Sequence, residues 1–466
     1  MKSAPGRQTS MLARQVDLSD IQRKLVAWLK TKMPEARRLS ISRMERSGSG
    51  FSNESFLFNL NWREAGESRS QGMLLRCAPR LYPVYPEYDL GKQFHIMRCL
   101  QDTGVPIPRV YWLEEDESLF GVPFYIMGKI DGVVPSDFPP YHTSGICFDA
   151  SPEKRAGMWW ECMEALARLH GLDWKGIGLN FLNLPQNDRG PIGRELDYWE
   201  RFLNWAKNEP QPILESALEW VRDNQYTLEH IGLCWGDSRL PNTIWRPDGK
   251  LLGLLDWEMA YLGDTEADFV FFVTLDWFQS EGSGIRRLDG FPGKDETIRK
   301  YEILSGWKVK NYFYNEVWAA LRSGITILKV QKNLEKIGVS PPGDGSQMNN
   351  FCTQRLAQML KLPAPGPAVS RKETVRINNV TAQIQFHLTG PGGSDWYLMS
   401  DKGKISRHDG NAVKPDVTVT VSTADWSAIQ RGELKRFHAY TSGKIKIDGD
   451  RTLYNLFEET ISKLDA

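Results

Sequence analysis

The chain has 466 residues, more than one ordinary hydrophobic core organises, so two or three folded units are expected. Lys plus Arg equals Asp plus Glu at 58 each, and this balance excludes a chain-wide electrostatic pull toward nucleic acid or an anionic membrane. The densest apolar run, Phe269 to Leu275, is far too short to span a bilayer, so no transmembrane segment is expected. Residues 1–16 are polar and read as a loose tail without a signal peptide. Asp17 to Lys32 reads as an amphipathic helix, with Ile21, Leu25, Trp28 and Leu29 at helical spacing and Pro34 beyond its end. Glu54 to Trp62 and Gly72 to Cys77 read as strands, Asp89 to Asp102 as a helix and Phe120 to Lys129 as a further strand. The chain then turns helical over Glu153 to Leu172, Leu196 to Ala206, Pro212 to Asn224 and Trp307 to Ile337. Alternating prolines at Pro363, Pro365 and Pro367 mark a stiff linker over 362–370. Beyond it, strands are expected at Thr381 to Leu388, Trp396 to Met399 and Val417 to Val421, with a helix starting near Ser422. Six cysteines without a C-x-x-C pair argue against a zinc or redox motif and suit free thiols in the cytoplasm.

One segment carries chemistry. Pro247-Asp248-Gly249 is a turn signal between two apolar runs, so Thr243–Trp245 and Leu251–Leu255 should pair as a hairpin. That pairing brings Asn242 and Asp256 to one open end, with Asp237 in the loop just before it. Two carboxylates and an amide converging there suit a hard cation with oxygen ligands. Phosphoryl transfer needs such a set, because its catalysis is mostly positioning and charge neutralisation. Upstream, the turn Ser47 to Asn53 joins two strand candidates, and backbone N–H groups on such a turn can cradle phosphates.

These residues resemble the catalytic and metal-binding loops of the aminoglycoside phosphotransferase and choline kinase superfamily, of the kind also found fused to acyl-CoA dehydrogenases. The matching run is Trp235-Gly236-Asp237, Asn242, Leu255-Asp256-Trp257-Glu258 and Gly263-Asp264 through Asp268. The resemblance implies an α+β, bilobal protein-kinase-like fold, with a strand-rich lobe over 17–130 and a helical lobe over 131–361. It implies ATP and Mg²⁺ as cofactors and a small-molecule hydroxyl as the acceptor. Asp237 would be the catalytic base, Arg239 would help neutralise charge, and Asn242 and Asp256 would hold the metal. Asp268 would brace the catalytic loop. Ser49, Gly50, Phe51, Ser52 and Asn53 would cover the nucleotide. Arg76 would stand for the basic residue of the third strand, facing Gln93 where a Glu is usual, or else Glu87 or Asp89. Met127 would lie on an edge strand and hinge facing the adenine. Trp235 stands where the pattern has His, a structural position, and His170 is expected to be structural.

From Arg371 the chain resembles the sterol-carrier-protein type of lipid-binding domain. The carrying residues are Gln385 to Gly390, Lys414 to Val419 and Tyr440 to Asp450. The resemblance implies an apolar tunnel over 371–466 for a lipid, sterol or acyl-CoA, and it directs the acceptor toward an apolar or acyl-CoA-type alcohol. A non-catalytic kinase-like scaffold, favoured by Gln93 and Trp235, and an antibiotic phosphotransferase are the rival readings.

Overall fold

The structure, a computed structural model, describes residues 18–46, 53–182, 190–336, 345–365, 382–401, 404–431, 433, 434, 439 and 444–449. Helix α1 (Leu18–Lys32) buries Ile21, Leu25, Trp28 and Leu29, the four residues that the helical spacing puts on one face. They pack on a sheet of β1 (Arg37–Ile41), β2 (Glu45–Arg46), β3 (Glu54–Glu64), β4 (Glu67–Cys77), β5 (Val110–Glu114) and β6 (Phe124–Gly128). Its order is β1-β3-β4-β6-β5, with β2 also pairing β3. The β3–β4 hairpin is longer than the hydrophobic pattern alone indicates. Its outer half is polar, and Ala65 and Gly66, both at positive φ, close it. Helix α2 (Leu90–Leu100) is capped by Asp89, whose carboxylate accepts from Lys92 N at 2.7 Å.

The next part is mostly helical, with α3 (Ile146–Asp149), α4 (Pro152–His170), α5 (Gly190–Ala206) and α6 (Pro212–Asp223). Strands β7 (Ile231–Cys234) and β10 (Tyr261–Asp264) pair antiparallel, as do β8 (Thr243–Trp245) and β9 (Leu251–Leu254). Helix α7 (Thr265–Phe278) explains the dense apolar run: Phe269 to Val273 are all buried, so that stretch is apolar on every side because it runs through the core. Helices α8 (Lys294–Ser305), α9 (Tyr312–Lys336) and α10 (Phe351–Leu360) complete this part.

The C-terminal strands are β11 (Ala382–Thr389), β12 (Asp395–Asp401), β13 (Lys404–Asp409), β14 (Val417–Ser422) and β15 (Ile445–Gly449). They form one sheet in the order β13-β12-β11-β14-β15, in which only β11 and β14 run parallel. Helix α11 (Thr423–Gln430), capped by Ser422, brings Trp426 onto Phe386 and Trp396, which themselves stack at 4.0 Å. Among the described residues no helix is long and apolar enough to cross a membrane.

Candidate active site

The hairpin forms as the turn signal requires: Thr243 faces Leu254, and Leu255 N donates to Asn242 O at 2.7 Å. Asn242 therefore stands beside the residue preceding Asp256. Asp256 itself has φ 62°, a left-handed conformation that Asp tolerates better than most residues and that turns the chain out of the strand. The Asn242 side-chain amide donates to Asp237 twice, to the backbone O at 2.9 Å and to Oδ2 at 2.7 Å. Arg239 Nε donates to the same Oδ2 at 3.0 Å. Both bonds fall on one carboxylate oxygen, and among the described residues no donor takes Oδ1. The Arg239 guanidinium also pairs with Asp137 at 2.7 Å, and Gln279 Nε2 holds the other Asp137 oxygen at 2.9 Å.

The loop in front of Asp237 is fixed from below. Asp268, fully buried, accepts from Trp235 N at 2.7 Å and from Gly236 N at 2.9 Å. His170 Nε2 lies 3.1 Å from the same carboxylate, and its Nδ1 lies 2.6 Å from the Tyr301 hydroxyl. A carboxylate only accepts, so the Nε2 that faces Asp268 carries a proton. Burial raises the Asp268 carboxyl, but the His170 hydrogen bond and charge, with the Gly236 and Trp235 amides, outweigh it and hold the group below the usual carboxylate range. Gly236 has φ 88°, and a Cβ there would sit 2.1 Å from Met259 O, so only glycine fits. Trp235 fills the position of the expected His without loss of bonding: its indole N–H donates to Leu255 O at 2.8 Å.

On the strand-rich side, Arg76 pairs with Asp256 and lies 3.8 Å from Glu258. The expected contact of Arg76 with Gln93 is replaced: among the described residues Gln93 Oε1 accepts from the Tyr125 hydroxyl at 3.4 Å. The carboxylates serving Arg76 are Asp256 and Glu258, not Glu87 or Asp89, because β4 projects Arg76 toward the end of the β8–β9 hairpin. Asn53 donates to Glu258. Ser49, Gly50, Phe51 and Ser52 lie outside the described residues. The expectation of an edge strand at Met127 is corrected: β6 runs between β4 and β5, with Met127 opposite both Leu74 and Val110. Its four buried residues suit a strand with neighbours on both sides.

Several residues at the site were not singled out from the sequence. Glu258 lay inside the quoted motif without a role. Asp137 and Tyr85 are far from the motif in the chain. Burial, then the charges of Glu258, Asp237 and Asp256, pushes the Tyr85 phenol well above its ordinary value.

The donor set fits a magnesium-bound nucleotide. Asn242 and Asp256 offer hard oxygens, and Arg76 Nε is a buried N–H without an acceptor among the described residues, suited to a phosphate oxygen. Among the described residues no three His, Cys, Asp or Glu side chains gather into a metal cage. A magnesium ion shared with substrate phosphates needs none.

A strand-rich lobe joined to a helical lobe, with this loop between them, defines a kinase-like phosphotransferase fold. The chain belongs to the phosphotransferase enzyme family, whose model matches residues 44–293, and residues 368–462 match the SCP-2 sterol transfer family. It is 28% identical over 242 residues to mouse acyl-CoA dehydrogenase family member 10, covering 50% of this chain and 22% of that one. It is 26% identical over 357 residues to the Arabidopsis thaliana protein named "Probable acyl-CoA dehydrogenase IBR3", covering 71% and 42%. The chain thus spans less than half the length of these curated relatives. Among solved structures, a Ralstonia eutropha protein assigned to the aminoglycoside phosphotransferases shares the fold, with a TM-score of 0.53, 23% identity, and coverage of 72% of this chain and 95% of that one.

Proposed function

We propose that this chain is an ATP- and Mg²⁺-dependent kinase of a small molecule bearing a hydroxyl group, with an apolar or acyl-CoA-type alcohol as acceptor. The observation that carries the reading is the Asp237 carboxylate, tied through Oδ2 to Asn242 at 2.7 Å and Arg239 at 3.0 Å while Oδ1 takes no donor among the described residues. Oδ1 accepts the acceptor's hydroxyl proton. The hydroxyl oxygen bonds to the γ-phosphorus as the bridging P–O bond breaks, and ADP leaves. Asn242 and Asp256 would hold Mg²⁺, which would supply charge neutralisation at the phosphates. Arg76 Nε and the Arg239 guanidinium are placed to meet the charge that spreads over the transferred group. Asn53, held by its bond to Glu258, would face the nucleotide.

The acceptor class rests on two supports. The relatives named above are acyl-CoA dehydrogenase family members, and the C-terminal part matches a sterol transfer family. In that part an open hollow of about 390 Å³ is lined by Leu388, Trp396 and Trp426 together with Ser427, Gln430, Arg407 and Arg431, the last paired with Glu433. Aromatic and aliphatic side chains beside polar ones suit an amphipathic ligand. The free thiols of Cys77, Cys99, Cys147, Cys162, Cys234 and Cys352 fit a cytoplasmic setting.

The test is ADP release from Mg-ATP by the full chain, with hydroxyacyl-CoAs, sterols and an aminoglycoside as acceptors. Stimulation by a hydroxyacyl-CoA or a sterol supports the reading. Stimulation by the aminoglycoside alone overturns the acceptor class, and failure to bind or turn over Mg-ATP overturns the enzyme.

A further inference from the structure

We propose that Arg322, midway along α9, is a positioning residue that fixes the base Asp237 by clamping the peptide immediately before it. The proposal rests on the reading of Asp237 as base. Arg322 is 1% exposed, and its Nη2 donates to the carbonyl of Gly236, the residue joined directly to Asp237. The same glycine donates its N–H to Asp268 at 2.9 Å, and its α-carbon is walled by Met259 O. The unit carrying Asp237 is thus held by an acceptor below, a donor at the carbonyl and a backbone wall at the side.

The guanidinium is itself gripped. It lies 4.6 Å from the Phe271 ring, 5.1 Å from Trp199 and 6.0 Å from Tyr261, so α7, α5 and β10 all press on it. Among the described residues its Nε and Nη1 have no acceptor. Burying a cation with two unmatched N–H groups is costly, and an apolar side chain of similar volume would usually serve stability better at such a place. The group is therefore explained by what it does to the Gly236 carbonyl. Glu195 on α5 is the neighbouring carboxylate: burial raises its carboxyl, and the charges of Arg194, Arg322 and Lys92 work against that. Lys92 belongs to α2, so the charges around the clamp include one from the strand-rich side.

The experiment uses the full chain with Mg-ATP and water as acceptor, followed by labelled-phosphate release under multiple and single turnover. Arg322→Lys is expected to lower kcat at least tenfold while KM for Mg-ATP stays within twofold and the melting temperature is retained. In the Asp237→Asn background the same substitution is expected to cause no further loss, because both act through one group. Unchanged kcat, or a loss that multiplies with that of Asp237→Asn, overturns the proposal. Phe271→Leu loosens the guanidinium without touching its hydrogen bond. It provides the readout if Arg322→Lys does not fold: kcat is expected to fall at constant KM, and an unchanged kcat again overturns the clamp. Should Asp237→Asn alone turn over like wild type, the base reading fails, and that arm reports it independently of Arg322.

Discussion

Replacing Asp268 by Asn keeps the shape of the side chain and removes one charge from a fully buried site. The carboxylate now receives three donors: Gly236 N at 2.9 Å, Trp235 N at 2.7 Å and His170 Nε2 at 3.1 Å. An amide has one oxygen, so its NH₂ must face part of that set. If the NH₂ takes the place of Oδ2, His170 can change tautomer and accept from it, because the Tyr301 hydroxyl can accept in turn. The Trp235 N–H has no such escape. A charge-assisted hydrogen bond contributes about 1.5–3 kcal/mol, and a buried donor left unmatched costs about 1–3 kcal/mol. The expected destabilisation is about 3–5 kcal/mol. Equilibrium denaturation followed by tryptophan fluorescence reads it well, since Trp235 and Trp257 lie 6.1 Å apart beside the loop. A loss below about 0.5 kcal/mol, the scale of an ordinary surface substitution, would refute the brace.

The remaining predictions concern other parts of the molecule. Gly236→Ala places a methyl 2.1 Å from Met259 O at a positive φ, so it is expected to lower turnover at least tenfold with Mg-ATP affinity retained; unchanged turnover contradicts the close fit. Asp276 is buried among Tyr141 at 2.6 Å, His142 at 3.1 Å and Arg287 at 2.7 Å, and Asp276→Ala is expected to cost about 3–5 kcal/mol in denaturant titration. Burial raises the Asp276 carboxyl, but the His142 hydrogen bond and the Arg287 charge leave it, like Asp268, below the ordinary range. The stabilisation from both is therefore complete above the unfolded value of about 3.9 and is lost as pH falls through the lower folded values. Denaturation midpoints should hold down to about pH 5 and drop below about pH 4, and a midpoint rising over that range contradicts the assignment. Phe386→Ala, which opens the stack on Trp396, should cost about 3–5 kcal/mol in the C-terminal sheet and leave ADP release without acceptor unchanged.

The order Asp237, Asn242, turn, Asp256 and Asp268 was readable because it is local: a turn signal fixes the hairpin, and the hairpin fixes which residues meet. The outer half of the β3–β4 hairpin was not, because it is polar, nor were short strands such as β7 and β10, because four residues are too few to show a period. Helix α7 was hidden for the opposite reason, since a helix buried on every side has no amphipathic period. Long-range pairings stayed out of reach in the same way. Nothing near Arg76 in the chain announces that Asp256, 180 residues away, receives it. Asp137 beside Arg239, and Arg322 beside Gly236, likewise depend on how the helices pack.

The most direct test of the central claim is phosphoryl transfer from γ-labelled ATP with Mg²⁺, wild type against Asp237→Asn, using the acceptor that stimulates wild type most. If Asp237 takes the hydroxyl proton, the variant keeps its fold and its Mg-ATP binding and loses at least about a hundredfold in transfer rate. Equal rates in the two proteins would contradict the account.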